Sequence, residues 1–269
     1  MSETASGAPA VLVERDGHAM IITINRPEVR NCVNKAVHVG VGEALEEADK
    51  NPDIWAVILT GAGDQAFCAG ADLKAIARGE SLRPDDPAQV AWGFAGYVQH
   101  YISKPTIAAV NGFALGGGTE LTLASDLAVA ADTAMFGLPE VKRGILAGAG
   151  GAFRMAQQVA PKVAMEILLT GDPFTAQRAL ELGFVNAVVP QAEVLPAALK
   201  LAARITVNAP LSVQASKRIC RGIVDGNVTA EEAFWTQNRA ESAILARSED
   251  SREGPKAFAE KRAPQWKAR

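Results

Sequence analysis

Two short apolar runs rich in β-branched residues, Val11 to Arg15 and Ala19 to Ile24, open the patterned part of the chain. They are split by Asp16-Gly17, a dipeptide suited to a tight hairpin turn. Asn34 stands as an N-cap before Val37, Val41, Leu45 and Ala48, whose spacing predicts a helix to about Asp49. Trp55 to Thr60 reads as a buried strand, and the theme repeats with a helix over Ala88 to Tyr101, a strand Thr106 to Val110 and a helix from about Gly117 that ends at Asp126. Short strands at Leu127 to Ala131 and Ala134 to Phe136 precede helices over Ala149 to Val159, Lys162 to Leu168 and Thr175 to Leu182. Phe184 to Val189 is then expected to be the last clear strand.

From Glu193 the period is helical, with breaks expected at Pro210, near Gly226 and at Gly254-Pro255. The organisation expected is therefore a flexible start over 1–10, an α/β core over 11–200 and a C-terminal helical segment over 201–269. A chain of 269 residues that is 48% hydrophobic can bury a sizeable core, and its net charge of -3 gives no footprint for nucleic acid. The three cysteines, Cys32, Cys68 and Cys220, argue against a disulfide framework, no zinc spacing appears, and no apolar run is long enough to span a bilayer. A cytoplasmic protein with a small-molecule partner, no nucleic acid and no membrane, is the expectation.

Two glycine-rich segments could carry chemistry. In Leu115-Gly116-Gly117-Gly118-Thr119-Glu120, three glycines between a strand and a helix free backbone amides at a helix N-terminus, which suits an oxyanion or simply a tight turn. No Lys-Ser or Lys-Thr follows, so it is not a nucleotide phosphate loop. Glu120 lies among leucines that would desolvate it, and Phe136-Gly137-Leu138-Pro139-Glu140 sets a second carboxylate where a returning strand pair could face it into the same pocket. In Cys68-Ala69-Gly70-Ala71-Asp72, Asp72 reads as a helix cap and the amide of Ala71 as the functional part. His18, His38 and His100 read as structural, on strand or helix surfaces, Cys32 and Cys220 as buried hydrophobes, and Trp92, Trp235 and Trp266 as packing on helices.

An ordered set of motifs then resembles the enoyl-CoA hydratase/isomerase, or crotonase, family over almost the whole chain. It comprises Asn25-Arg26-Pro27-Glu28 with Asn31, Ala66 to Leu73, Lys104 to Gly112, Ala114 to Leu121, Ser125-Asp126, Phe136 to Glu140, Gly148 to Gly151, Glu253-Gly254 and Phe258 to Arg262. The resemblance implies an α/β crotonase-like spiral of ββα repeats, followed by C-terminal helices used in trimerisation, with trimers often stacked as hexamers. It places the two amides of a thioester oxyanion hole on Ala71 and Gly117, and catalytic carboxylates on Glu120 and Glu140. Coenzyme A, as part of the substrate and with no separate cofactor, would lie along Val29, Arg30, the Cys68-Ala69 backbone and Lys74. Phe258 and Lys261 would reach it across a subunit boundary.

Retention of both glutamates favours hydration of a 2-enoyl-CoA to the 3-hydroxyacyl-CoA. Ala147, Leu138 and Thr119 stand where many hydratases carry proline, glutamine and cysteine. Branches with a Leu-Pro-Glu segment include enzymes for crotonobetainyl-type acyl groups, so an isomerase, dehydratase or hydrolase of a special acyl-CoA is the alternative. A non-catalytic acyl-CoA-binding or RNA-binding relative is the reading from another class. The acyl pocket walls are expected from Ile76 to Phe94, the stretch least matched to the motifs.

Overall fold

In the computed structural model, which describes residues 8–269, the strands alternate between two sheets. β1 (Val11–Asp16) and β2 (Ala19–Ile24) form the expected antiparallel hairpin, with Gly17 at the turn in the left-handed region (φ 55°). β2 continues in parallel through β3 (Ala56–Gly61), β5 (Thr106–Val110), β7 (Leu127–Ala131) and β10 (Ala187–Val189), making a six-stranded sheet. The second sheet takes the partner strand of each repeat: β4 (Ala66–Cys68), β6 (Phe113–Leu115) and β8 (Met135–Gly137) run parallel, and β9 (Phe174–Thr175) closes it antiparallel. Strands of β3 and β5 are buried along their whole length, as their unbroken apolar runs require.

The helices follow from local signals. α1 (Lys35–Lys50) is capped by the Asn34 side chain accepting from Val37 N–H, a contact of about 1 kcal/mol. α2 (Leu73–Ala77) is capped by Asp72, which also pairs with Arg26 at 3.0 Å and so ties the Asn-Arg-Pro-Glu motif to the first glycine-rich segment. Asn31 and Asn111, singled out by motif, are braces: Asn31 donates to the carbonyls of Ala62 and Ala66, and Asn111 to those of Gly61 and Gly63.

The helix expected over Ala88 to Tyr101 is broken. α3 (Pro87–Ala91) stops at Trp92, because Gly93 (φ 74°) and Ala95 (φ 59°) take left-handed backbone and re-aim Phe94. α4 (Gly117–Ala124), α5 (Gly151–Gln158), α6 (Pro161–Thr170) and α7 (Ala176–Glu181) lie within a few residues of expectation. The C-terminal stretch holds α8 (Val194–Thr206), α9 (Pro210–Arg221), α10 (Glu232–Leu245) and α11 (Asp250–Ala259). Two features there depart from the sequence reading. A small hairpin, β11 (Ile223–Val224) with β12 (Asn227–Val228), turns at Gly226 within a stretch whose period reads as helical. Pro255 sits inside α11 without ending it, and Gly254 faces the Arg143 carbonyl too closely for any side chain. Of the expected flexible start, residues 1–7 lie outside the described residues.

α4 rests directly on β4. A Cβ built on Gly118 would stand 2.0 Å from the Cys68 carbonyl oxygen, and the obstacle is backbone. Gly118→Ala is therefore expected to cost about 1–3 kcal/mol or more through forced separation of the two segments. Urea denaturation would read this as a fall in midpoint at unchanged slope.

Candidate active site

Because β4, β6 and β8 are parallel neighbours, their carboxyl ends lie at one edge, the place where open α/β sheets receive ligands. Each strand delivers one element of the site. After Cys68 the chain runs to Ala71; after Leu115 it enters α4 at Gly117; after Gly137 it turns through Pro139–Arg143, which carries Glu140. Gly70 packs against the second segment, with a Cβ built there only 3.4 Å from Gly117 N. Val33 N–H bonds to Gly70 O and Asp72 N–H to Val33 O, which leaves the Ala71 N–H outside this bridge. Gly116 N–H is taken by Gly137 O, whereas Gly117, first residue of α4, has no acceptor for its N–H among the described residues. Two adjacent unpaired amides thus stand at the edge, one on each glycine-rich segment. Thr119 pins this arrangement: its hydroxyl bonds to the carbonyls of Ala114 and Gly137 and accepts from Gly137 N–H, so it staples β6 to β8.

Glu120, one turn into α4, is 3% exposed and accepts from Gly151 N–H at 2.9 Å, at the N-terminus of α5. Glu140 lies over Gly116, where a Cβ would be 2.9 Å from its Oε1, and its buried Oε2 has no partner among the described residues. Burial raises both carboxyls far above the ordinary glutamate range. For Glu120 the proximity of Glu140 adds to this, and donation from Gly151 and the Arg154 charge oppose it. The pair holds protons at pH values where an exposed glutamate has lost its own.

Ala69 N–H bonds to Arg30 O at 3.1 Å, so Val29, Arg30, Cys68 and Ala69 lie together beside Ala71, and exposed Lys74 follows in α2. Phe258 and Lys261 do not join them within this chain. Phe258 lies on α11 under the Arg143 guanidinium, 4.0 Å from the ring centre, next to the turn that carries Glu140, and Lys261 is exposed just beyond the helix. Cys68 is fully buried and its thiol is pushed up to about 12, which suits a small packing residue rather than a nucleophile. Cys220 is exposed in this chain, contrary to expectation, since α9 turns that side outward. His38 and His100 are not on the surface either. Burial lowers both below the usual histidine value, with His38 bonded to Gln89 O and His100 to Glu46 and Gly96 O.

A cavity of about 770 Å³ opens beside Ala71. Leu82, Arg83, Val90 and Phe94 come from the expected stretch, but the opposite wall is α10, through Trp235, Asn238, Arg239 and Ser242. That wall was missed because an amphipathic helix about 160 residues away carries no local sign of what it faces. Phe94 also covers the second segment, its ring standing where a Cβ on Gly117 would go.

Strands wound alternately into two sheets, with two unpaired amides and two desolvated carboxyls at one edge, define a crotonase-type α/β scaffold. The model of the enoyl-CoA hydratase/isomerase family matches residues 14–269, and the chain belongs to that family. It is 40% identical over 263 residues to a carnitinyl-CoA dehydratase of Salmonella typhi, covering 95% of this chain and 97% of the relative. Among solved structures it is similar to a carnitinyl-CoA hydratase from Mycobacterium avium, with 60% identity, TM-score 0.95 and coverage of 98% and 100%. An enoyl-CoA hydratase from Mycobacterium tuberculosis H37Rv shows 44% identity, TM-score 0.75 and coverage of 97% and 100%.

Since both carboxyls have folded-state pKa values above their unfolded ones, their contribution to stability is complete below the unfolded value and is lost as pH rises toward neutrality. The Glu120→Gln/Glu140→Gln variant, uncharged throughout, is expected to gain on the wild type by about 1–3 kcal/mol between pH 5 and pH 8. Paired thermal melts across that range measure the change.

Proposed function

We propose that this chain adds water reversibly across the double bond of a 2-enoyl-CoA thioester, giving the 3-hydroxyacyl-CoA. The observation that carries the reading is the pair of desolvated carboxyls, buried Glu120 and half-buried Glu140, at the strand edge that also presents the free amides of Ala71 and Gly117. Hydration pushes negative charge onto the thioester oxygen. Two preorganised donors there would stabilise the enolate, each contributing roughly 3–4 kcal/mol by the measure of donor removal. Glu120 in its ionised form takes a proton from water as the water oxygen bonds to the β-carbon, and protonated Glu140 delivers its proton to the α-carbon. The proton gained by Glu120 is afterwards returned to Glu140 or to solvent, and loss of water from the hydroxyacyl ester is the same path reversed.

Val29, Arg30, Cys68, Ala69 and Lys74 are the residues we assign to coenzyme A, with Phe258 and Lys261 reaching the nucleotide of a neighbouring copy. Exposed Val207, Leu211 and Ile219 on and before α9 support assembly, since three large apolar side chains in one region are covered at little cost by further copies. Light scattering is expected to give a trimer or hexamer of the 28.2 kDa chain, and a monomer would remove this part of the reading.

The names of several relatives point to a trimethylammonio acyl group as an alternative substrate. Arg83 and Arg239 border the cavity, whereas no aspartate or glutamate lines it among the described residues, so a cationic tail would meet no counter-charge. An uncharged 2-enoyl group is the substrate favoured here. With crotonyl-CoA, loss of the conjugated absorbance is expected to be faster than with its 4-trimethylammonio analogue. Glu120→Gln and Glu140→Gln are each expected to lower kcat by about 10²–10⁴. Undiminished hydration in both variants removes the carboxyl mechanism, and tight calorimetric binding without turnover by the wild type favours the non-catalytic reading.

A further inference from the structure

Arg154 is the largest fully buried side chain of the molecule, and nothing in the hydration scheme uses it. It lies in the first turn of α5, three residues after the Gly151 N–H that holds Glu120, and its own N–H bonds to Gly150 O at 3.0 Å. Its guanidinium is clamped on two edges. Nε donates to Glu231 Oε1 at 3.1 Å, and Nη2 donates to Glu231 Oε2 at 2.7 Å, Val98 O at 2.8 Å and the Tyr101 hydroxyl at 2.7 Å. Glu231, 4% exposed, also accepts from Trp235 Nε1 and the Tyr101 hydroxyl. The remaining nitrogen, Nη1, is buried without a partner among the described residues and points at the turn: a Cβ built on Gly150 would lie 3.1 Å from it.

We propose that Arg154, clamped by Glu231, is a positioning residue that fixes the Gly150-Gly151 turn and thereby the Glu120 carboxylate. This rests on the hydration reading for the role of Glu120. A fork held by a bidentate carboxylate has little freedom, so the turn above it inherits a fixed place. Glu231 stands just before α10, the helix that lines the cavity through Trp235, so one ion pair connects the general base to the far wall of the cavity. A buried ion pair is a poor source of stability, which makes a positioning use the better account of its presence. Charge acts alongside geometry. The charged or titratable groups facing Glu120 are Glu140 from the turn after β8, Cys68 from β4 and Arg154 from α5, of which only Arg154 favours the ionised carboxylate.

The test replaces the pair with apolar groups of similar size, Arg154→Met with Glu231→Leu, so that no unpaired charge is left inside. A variant that melts cooperatively but loses roughly tenfold or more in kcat supports the proposal, as small misplacement of a catalytic group costs that much. Its ascending pH–rate limb is expected to move up by about one unit, because a cation that favours ionisation has gone. If the double variant does not fold, Glu231→Gln, which keeps the size and one acceptor, takes its place: kcat is expected to fall by a similar factor, but the limb does not move up, because the Arg154 cation remains. Arg154→Lys is expected to restore the limb while leaving kcat low, since it keeps the charge and loses the fork. A separate readout is titration of Glu120 by carbon-13 carboxyl NMR in wild type and variant. It decides the proposal even in a chain that turns over no enoyl ester, whereas wild-type inactivity alone counts against the hydration reading. A folded variant with wild-type kcat, pH limb and Glu120 titration overturns the proposal.

Discussion

The site depends on one backbone contact: the two glycine-rich segments touch with nothing between them. Gly70 lies against Gly117 N, Gly118 lies on the Cys68 carbonyl, and a side chain at either of the last two would meet an obstacle within 2.5 Å. This closeness is possible only because β4 and β6 are parallel neighbours, with a register shift between Ala66 and Cys68 that sets Cys68 against Ala114, so their carboxyl ends lie side by side. A convergent pair of unpaired amides cannot be made by one strand alone. It requires two strand ends side by side and an absence of side chains where the loops leave them. Asn31 and Asn111 then use their hydrogen bonds to hold the turn that leads into β4, and Thr119 uses its own to join β6 to β8. Much of the motif content that resembles the family is thus bracing, one layer removed from any chemistry.

How much of this the chain declares in advance depends on the range of each interaction. Asn34 and Asp72 cap the helices they precede within three residues, and the hairpin at Gly17 turns on its own dipeptide, so these were legible from spacing. The helical period over Ala88 to Tyr101 misleads, since it is Gly93 and Ala95, both at positive φ, that break it to bring Phe94 over Gly117. Proline inside α11 misleads in the other direction, because the helix is held by packing against the Pro139–Arg143 turn. Arg154 and Glu231 are 77 residues apart in an amphipathic pattern that offers each as an ordinary surface charge. No local rule pairs them; the family motifs located the glutamates, and the fold alone located the arginine.

Burial has opposite consequences for three glutamates of this chain. Glu120 and Glu140 have been taken from water with few donors and near each other, so desolvation dominates and both carboxyls are driven toward the neutral form. Glu231 is desolvated too, yet the Arg154 fork, the Tyr101 hydroxyl and the Arg221 charge outweigh it and hold its pKa below the usual value. The difference lies in the partners, not the depth. An ionised group with donors on both oxygens is a strut. A carboxyl with Oε2 unpaired, as in Glu140, can still accept or release a proton when a reactant arrives.

Under the proposed function the distinction between hydratase and dehydratase is not written into these carboxyls. Both directions pass through the same enolate and use the same two donors, so the site lowers one barrier and the concentrations of ester and water-adduct decide the net flow. Discrimination must then come from groups that meet the acyl tail without taking part in proton transfer. In this chain those groups lie on the Leu82 to Phe94 stretch and on α10, from opposite ends of the sequence. The strand edge, being backbone, can stay constant while either wall changes its side chains. An arrangement of that kind separates chemistry from specificity physically: substitutions in the walls alter which acyl group is held without disturbing the glycine contact that places the amides.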